Sequence, residues 1–312
     1  MILTVTPNPV LDRTLTVPNI VLNEMSRALE TREDWGGKGF NVARALHALG
    51  KTSVAMGFVG GATGDKLASG LQALGIRTEL TPIAGETRTN VVITDAAGEQ
   101  YIKVNEPGPT VEAQEVSALM ERVGTRAQPG DYWALCGSLP PGAPLDLYAQ
   151  LIDRIQSRGA KALLDASGEP FRLGLEAKPF MIKPNALEAA ACLERAVESP
   201  SAMAEAVEDF LARGIALVAL SLGADGLMLA SREFRVWARP PEVRARNPVG
   251  AGDAAVAGLL WALSEQLPPP DTARWSVASG TAAAVREGVT FGTLDEVRAL
   301  YSQVRLAPWP GR

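Results

Sequence analysis

The chain has 312 residues, 46% of them hydrophobic, with 30 Lys and Arg against 35 Asp and Glu for a net charge of −5, and a pI near 5.2. That length and apolar content suit one large α/β domain or two small ones, and the acidic balance without long Lys/Arg runs argues against a general nucleic-acid or membrane binder. One histidine and two cysteines exclude metal sites of the Cys/His type and leave Ser-His-Asp chemistry without a good candidate.

Met1 to Thr6 enters a strand pattern directly, with no basic segment before it. A cytoplasmic location is therefore expected, and no apolar run reaches membrane-spanning length. Asp12 follows that first strand in Thr6-Pro-Asn-Pro-Val-Leu-Asp12. Residues 13–35 and 85–106 alternate like strands, with turn signals at Ala97-Gly98 and little helical pattern. Between them stands Gly36-Gly37-Lys38-Gly39-Phe40-Asn41-Val42-Ala43. Its small residues permit close backbone approach to a ligand, Lys38 offers a cation, and Asn41 offers a donor and an acceptor. It is not a Walker loop, because Gly39 follows the lysine where Ser or Thr is needed. His47, inside Val42 to Leu49, reads as a helix-surface or packing residue.

A repeated punctuation follows. Helical stretches end in glycine and apolar runs begin at once: Gly50 before 52–59, Gly75 before Ile76, Gly159 before 162–165 and Gly214 before 216–221. Glycine ends helices in the left-handed conformation, and near-continuous apolar strands are buried on both faces. Together they imply a parallel sheet with crossover helices. Cys136 and Cys192 lie in apolar surroundings and are expected to be buried free thiols of a reducing compartment. The six tryptophans are scattered and read as packing.

Near the C-terminus, Asn247-Pro-Val-Gly-Ala-Gly-Asp253 runs directly into the apolar stretch 254–263. The first amides of a helix lack intrahelical partners and carry the positive end of its dipole, so this loop suits a phosphate or a developing phosphoryl charge. Asp253 either caps that helix or serves as a base beside the anion hole. Pro268-Pro-Pro270 reads as a stop between two helices.

The two glycine clusters, with Thr6 to Asp12, Gly137-Ser-Leu-Pro-Pro-Gly142, Lys183-Pro-Asn-Ala-Leu-Glu188 and Ser221-Leu-Gly-Ala-Asp-Gly226 in order between and around them, resemble the signature segments of the ribokinase-like sugar kinases in their phosphofructokinase-B branch. The likeness spans essentially the whole chain. It implies a single α/β domain over 1–312, a Rossmann-type sandwich whose mainly parallel central sheet is flanked by helices, with residues 13–35 and 85–106 inserted as a small β lid. Periodicity alone would equally allow an antiparallel edge of the main sheet. The opening Asn-Pro-x-x-Asp and Thr87-Arg88-Thr89-Asn90 resemble the subgroup acting on ketohexose phosphates. The expected reaction is ATP-dependent phosphorylation of fructose 1-phosphate to fructose 1,6-bisphosphate, with tagatose 6-phosphate and fructose 6-phosphate as close alternatives. A sugar-phosphate-binding regulator without catalysis is the alternative of another class.

The resemblance also implies roles. Asp253 is the general base, and Gly250, Ala251 and Gly252 form the anion hole; the Ser or Thr common at the next position is Ala254 here. Asp12, Gly37, Lys38, Asn41, Arg88 and Ser138 bind the sugar phosphate, Lys38 and Arg88 meeting its existing phosphate. Taken alone, Asp12 could stabilise a turn and Arg88 could be a solvated surface residue. Lys183, Asn185, Glu188, Ser221, Gly223 and Gly226 bind the nucleotide, Asn185 and Glu188 organising Mg²⁺ through water; Glu188 could also be a first-turn glutamate favoured by the dipole. A monovalent cation such as K⁺ and a homodimer formed through the lid belong to the same expectation.

Overall fold

The computed structural model describes residues 1–97 and 100–310; Gly98 of the expected Ala97-Gly98 turn lies outside them. The chain opens with β1 (Ile2–Thr6), β2 (Val10–Val17) and β3 (Glu30–Gly36), then α1 (Lys38–Ala48), β4 (Ser53–Val59) and α2 (Gly61–Ala73). Next come β5 (Arg77–Pro82), β6 (Arg88–Asp95), β7 (Tyr101–Val104), α3 (Ala113–Arg126) and β8 (Tyr132–Cys136). The middle continues through α4 (Leu147–Gln156), β9 (Lys161–Asp165), α5 (Gly168–Glu176), β10 (Met181–Ile182), α6 (Ala186–Leu193) and α7 (Pro200–Ala212). The remainder holds β11 (Leu217–Ser221), β12 (Leu227–Ala230), β13 (Arg235–Arg239), α8 (Ala251–Ser264), α9 (Pro269–Ala284), α10 (Leu294–Tyr301) and β14 (Arg305–Ala307).

Ten strands form one sheet in the order β14-β13-β12-β11-β10-β9-β8-β1-β4-β5. From β5 to β11 each neighbouring pair is parallel, and β12, β13 and β14 continue it antiparallel. The central strands are buried along nearly their whole length, as a sheet with helices on both faces requires. Apolar side chains accordingly gather in two large cores. One includes Trp133, Tyr148 and Phe210; the other includes Leu46, Leu259 and Trp275, where α8 lies between α1 and α9. The helix-ending glycines behave as the sequence predicts, with φ of 72°, 80°, 75° and 94° at Gly50, Gly75, Gly159 and Gly214. Pro268 caps α9, which begins with proline.

A second, four-stranded sheet stands apart, in the order β3-β2-β6-β7. It is a separate sheet, so its strands are not an edge of the first one. Its boundaries differ from the expected ones: β2 starts at Val10, three residues before 13, and β6 starts at Arg88. Asp12 follows β1 as expected and lies within β2, paired with Asp34 and Asn90, inside the small sheet and not just before it. Val10 and Leu11 are buried like strand residues; the two prolines before them obscure that in the sequence. Cys136 is buried as expected, whereas Cys192, on α6, is only half-buried. His47 is exposed on α1. No helix among the described residues is long and apolar enough to cross a membrane.

Candidate active site

In a parallel sheet the carboxyl ends of the strands share one edge, and the crevice outside that edge is where α/β folds place ligands. Thr6, Cys136, Asp165 and Ser221 end β1, β8, β9 and β11, and Lys183 follows β10. Residues far apart in the chain thus converge, and α1 and α8 bring their N-termini to the same place.

The start of α8 is set by Gly250, whose φ of 85° is left-handed and unfavourable for any residue with a β-carbon. No side chain among the described residues caps this helix. Asp253 is its third residue, so the reading of Asp253 as a cap does not hold. The N–H groups of Gly250, Gly252 and Asp253 have no hydrogen-bond partner among the described residues. The Ala251 amide, by contrast, donates to the Pro248 carbonyl at 3.2 Å, which removes it from the expected set of free donors. The ammonium of Lys183 lies 3.9 Å from where a β-carbon at Gly252 would stand. A cation and free helix-terminal amides therefore face one small space, an arrangement suited to a phosphate.

Asp253 is 7% exposed and accepts a hydrogen bond of 2.8 Å from Asn41 Nδ2. Burial pushes its carboxyl up, the charge of Asp165 adds to this, and Asn41, Lys38 and Lys183 oppose it; the resulting pKa is about 7. A carboxylate poised there is about half ionised at neutral pH and a stronger base than an ordinary carboxylate, the balance general base catalysis favours. Asn41 is itself oriented. Arg44 Nη1 donates to its Oδ1 at 3.2 Å, which turns the amide so that its NH₂ meets Asp253. Arg44 is held in turn by the carbonyls of Trp35 and Val289, at 3.2 and 2.9 Å, with its guanidinium 5.3 Å over the Phe291 ring.

Asp165 is 1% exposed and anchors the cations. Its Oδ1 lies 3.3 Å from Lys38 Nζ and 3.5 Å from Lys183 Nζ, while its buried Oδ2 has no hydrogen-bond partner among the described residues. Lys38 also lies 3.9 Å from Glu188 Oε1. Burial works against its charge, yet Asp165, Glu188 and Asp253 hold its pKa above the ordinary lysine value. Asn185 and Glu188 form a reciprocal cap on α6: Asn185 Oδ1 accepts from the Glu188 amide at 2.8 Å, and Glu188 Oε2 accepts from the Asn185 amide at 2.9 Å. Ser221 bridges to Asn185, and Gly223 opens the short turn after it at φ 57°. Gly226, which closes that turn, backs onto the Ala238 carbonyl.

The remaining positions gather at the junction with the four-stranded sheet. Asp12 accepts from Asn90 Nδ2 at 3.0 Å; its burial raises the carboxyl pKa, Asn90 opposing. Arg88 donates to the Pro9, Glu106 and Asn8 carbonyls at 3.4, 2.9 and 2.9 Å. It is thus a tie between loops and not a solvated surface arginine. Ser138 Oγ accepts from Asn8 Nδ2 at 3.3 Å. Gly37, the N-cap of α1 at φ 113°, packs against Thr6 and Pro9.

Two groups result. Lys38, Asn41, Lys183, Glu188 and Asp253 surround or adjoin Asp165, whereas Asp12, Arg88 and Ser138 lie with Asn8 and Asn90. The direct contacts of Lys38 are with Asp165 and Glu188, not with the group around Arg88. Sequence reasoning passed over Asp165, Arg44 and Asn8. For Asp165 a signal existed: it is the one charge closing the apolar run 162–165, at the strand end where α/β sites form.

Comparison with known proteins places the chain in a family. Residues 7–296 match the family described as pfkB family carbohydrate kinase. The chain is 35% identical over 310 residues to a 1-phosphofructokinase of Rhodobacter capsulatus, covering 99% of this chain and 98% of that one. It is 33% identical to a 1-phosphofructokinase of Bacillus subtilis, covering 98% and 99% respectively. Among solved structures, phosphofructokinase-2 from Escherichia coli in complex with potassium superposes with a TM-score of 0.93 at 30% identity, covering 97% of this chain and 98% of that one. With its ordered motifs, its parallel-edged sheet and its buried aspartate at the head of α8, this chain belongs to the pfkB family of carbohydrate kinases.

Proposed function

We propose that this protein transfers the γ-phosphoryl group of ATP to a ketohexose phosphate, fructose 1-phosphate being the substrate and fructose 1,6-bisphosphate the product. The observation that carries this reading is the buried Asp253 carboxylate, with a pKa pushed up to about 7, beside unpartnered amides at the head of α8. The full-length relatives named 1-phosphofructokinase support the choice of sugar.

In this mechanism Asp253 takes the proton of the attacking sugar hydroxyl as its oxygen bonds to the γ-phosphorus, and the bond to the leaving ADP oxygen breaks. The amides of Gly250, Gly252 and Asp253 and the Lys183 ammonium stabilise charge on the transferring group, while Ala251 shapes the turn. Such preorganised donors are what phosphoryl transfer mainly requires. Lys38 serves the phosphates from its seat between Asp165 and Glu188. Asp12 accepts from the sugar, and Arg88 and Ser138 shape its subsite together with Gly37. Ser221, Gly223 and Gly226 border the nucleotide. The divalent ion accompanying ATP, Mg²⁺ in this reading, would be held through water by Asn185 and Glu188 and supplies charge neutralisation on the phosphates when bound. The donor set fits, since each of those side chains keeps an acceptor lone pair beyond its capping bond. Potassium in the E. coli relative's structure supports a monovalent cation as a further requirement.

The four-stranded sheet acts in this proposal as a lid that excludes water from the transferring group, and its exposed apolar residues form a homodimer contact. Support comes from Leu22 and Met25, in the connection between β2 and β3, and Tyr101 on β7, which are 76%, 90% and 71% exposed, since exposed apolar residues grouped together mark interaction surfaces.

The test is ADP release with fructose 1-phosphate, tagatose 6-phosphate, fructose 6-phosphate and unphosphorylated fructose, compared by kcat/KM. The expected result is a clear preference for fructose 1-phosphate. Preference for another phosphosugar would change the assigned substrate, and no turnover in a protein that still binds ATP would overturn the kinase reading for these sugars.

A further inference from the structure

At the opposite edge of the main sheet, where β10 and β11 begin, the structure holds a groove of about 560 Å³. Ligand pockets commonly span about 300–1,000 Å³, so the space is adequate for a small molecule. Its floor is apolar, formed by Phe180, Leu229, Leu263 and Leu267. Phe180 is held in place by Gln156, whose Oε1 accepts from its amide at 2.8 Å and whose Nε2 donates to the Lys178 carbonyl at 3.2 Å.

One cation lines the groove and two lysines stand beside it. Arg232 lines the groove and makes no side-chain hydrogen bond or ion pair among the described residues. Lys178 stands in the left-handed region at φ 48°, a conformation uncommon for a residue with a side chain, and its stem packs over Gly214, another groove residue. Its ammonium likewise has no partner among the described residues. Lys161 places its ammonium 4.9 Å from the centre of the Phe180 ring and 5.1 Å from that of Tyr132, and that ammonium donates to the Tyr132 hydroxyl at 3.4 Å. Arg232 and Glu233 are the one cation and the one carboxylate among the lining residues, the Glu233 carboxylate has no partner among the described residues, and Lys178 and Lys161 stand beside the lining residues Gly214 and Phe180.

We propose that this groove is a second ligand site, built for a small organic anion with an aromatic or apolar body. The apolar floor and the ring of Phe180 would cover the body of such a ligand, and Arg232, Lys178 and Lys161 would meet its charge. The site is separate from the catalytic one. It adjoins the C-terminal half of α8, whose N-terminal turn carries Asp253; ten residues of helix separate Asp253 from Leu263, about 15 Å.

The probe is 8-anilinonaphthalene-1-sulfonate, titrated by fluorescence and calorimetry, beside N-phenyl-1-naphthylamine, which has the same ring system without the sulfonate. The expected result is saturable binding of the sulfonate, about tenfold tighter than the neutral amine, a factor typical of one well-placed charge contact, and weakened by salt. In the double variant Lys178→Glu with Arg232→Glu, both at exposed positions, sulfonate affinity falls at least tenfold while the neutral amine, kinase turnover and thermal midpoint stay unchanged. Absence of sulfonate binding, equal binding by the double variant, or loss of binding in Met25→Ser, which alters the other exposed apolar region, would each overturn the proposal.

Discussion

The catalytic edge of the main sheet and the four-stranded sheet beside it solve opposite problems. At the edge, Asp165, Lys183, Asn41 and Asp253 are all buried and are held by one another at 2.8 to 3.5 Å. In the small sheet β7 is exposed throughout, and the connection between β2 and β3 carries Leu22 and Met25 in solvent. Burying charges is costly unless each has a partner. That cost is met where strand ends and helix starts are fixed by packing on both faces. Under the proposed function the chemistry falls to the buried edge, and access and pairing fall to the small sheet.

The sharpest way to break this division is Asp253→Asn. Removing the base should lower kcat about 10³-fold, within the range for general base catalysis, and leave sugar-phosphate binding by calorimetry within a few-fold. Stability should move the other way. The folded pKa of about 7 stands above the ordinary 3.8, so the folded state binds the proton more tightly, and stability is lost as pH rises between those values. The variant should therefore gain thermal midpoint relative to the parent at pH 8 and not at pH 4. Retention of most activity would remove Asp253 from the mechanism.

Asp165→Asn comes next. It deprives Lys38 and Lys183 of their shared anchor, and about a hundredfold loss in kcat/KM for ATP is expected in steady-state kinetics, comparable to losing one stabilising donor in other enzymes. A change confined to the KM of the sugar would instead place the lysines on the sugar side. Arg88→Lys is a milder probe of the junction between the two sheets. An ammonium cannot span the three carbonyls that the guanidinium fork reaches, so the sugar-phosphate KM should rise about tenfold with kcat nearly unchanged. Smallest of all should be the effect of Leu22→Ser with Met25→Ser on the chemical step, measured in single turnover. The same variant should shift sedimentation from dimer to monomer, and an already monomeric parent would remove the interface reading.

Much of this division is legible in the sequence, for physical reasons that differ by residue. Gly250 and the apolar run after it announce a buried helix with open amides, because few residues other than glycine tolerate that turn and few buried helices begin beside a carboxylate. Lys183-Pro-Asn-Ala-Leu-Glu188 is similarly readable, since Asn and Glu three apart before an apolar stretch form a capping box. What sequence could not supply is which charges meet. Asn41 and Asp253 are 212 positions apart, and Lys38 and Asp165 are 127 apart; only the crossover topology joins them. Lys38 was likewise expected on the substrate phosphate with Arg88, and its seat between Asp165 and Glu188 could not be read from the sequence. Arg44 was hidden for a related reason: its partners are mainly carbonyls, and carbonyls carry no sequence signature. The early start of β2 at Val10 was masked by Pro7 and Pro9, which read as turn residues.

The measurement that tests the central claim most directly is the pH dependence of kcat/KM with fructose 1-phosphate, taken for the parent and for Asp165→Asn from pH 5 to 9. Because kcat/KM reports groups of the free enzyme, the parent should lose activity tenfold per pH unit below about 7, where Asp253 becomes protonated. Removing the Asp165 charge, which helps hold that pKa up, should move the acid limb to lower pH. A parent profile that is flat down to pH 5, or an acid limb that does not move in Asp165→Asn, would contradict the assignment of Asp253 as a base tuned by its buried neighbours.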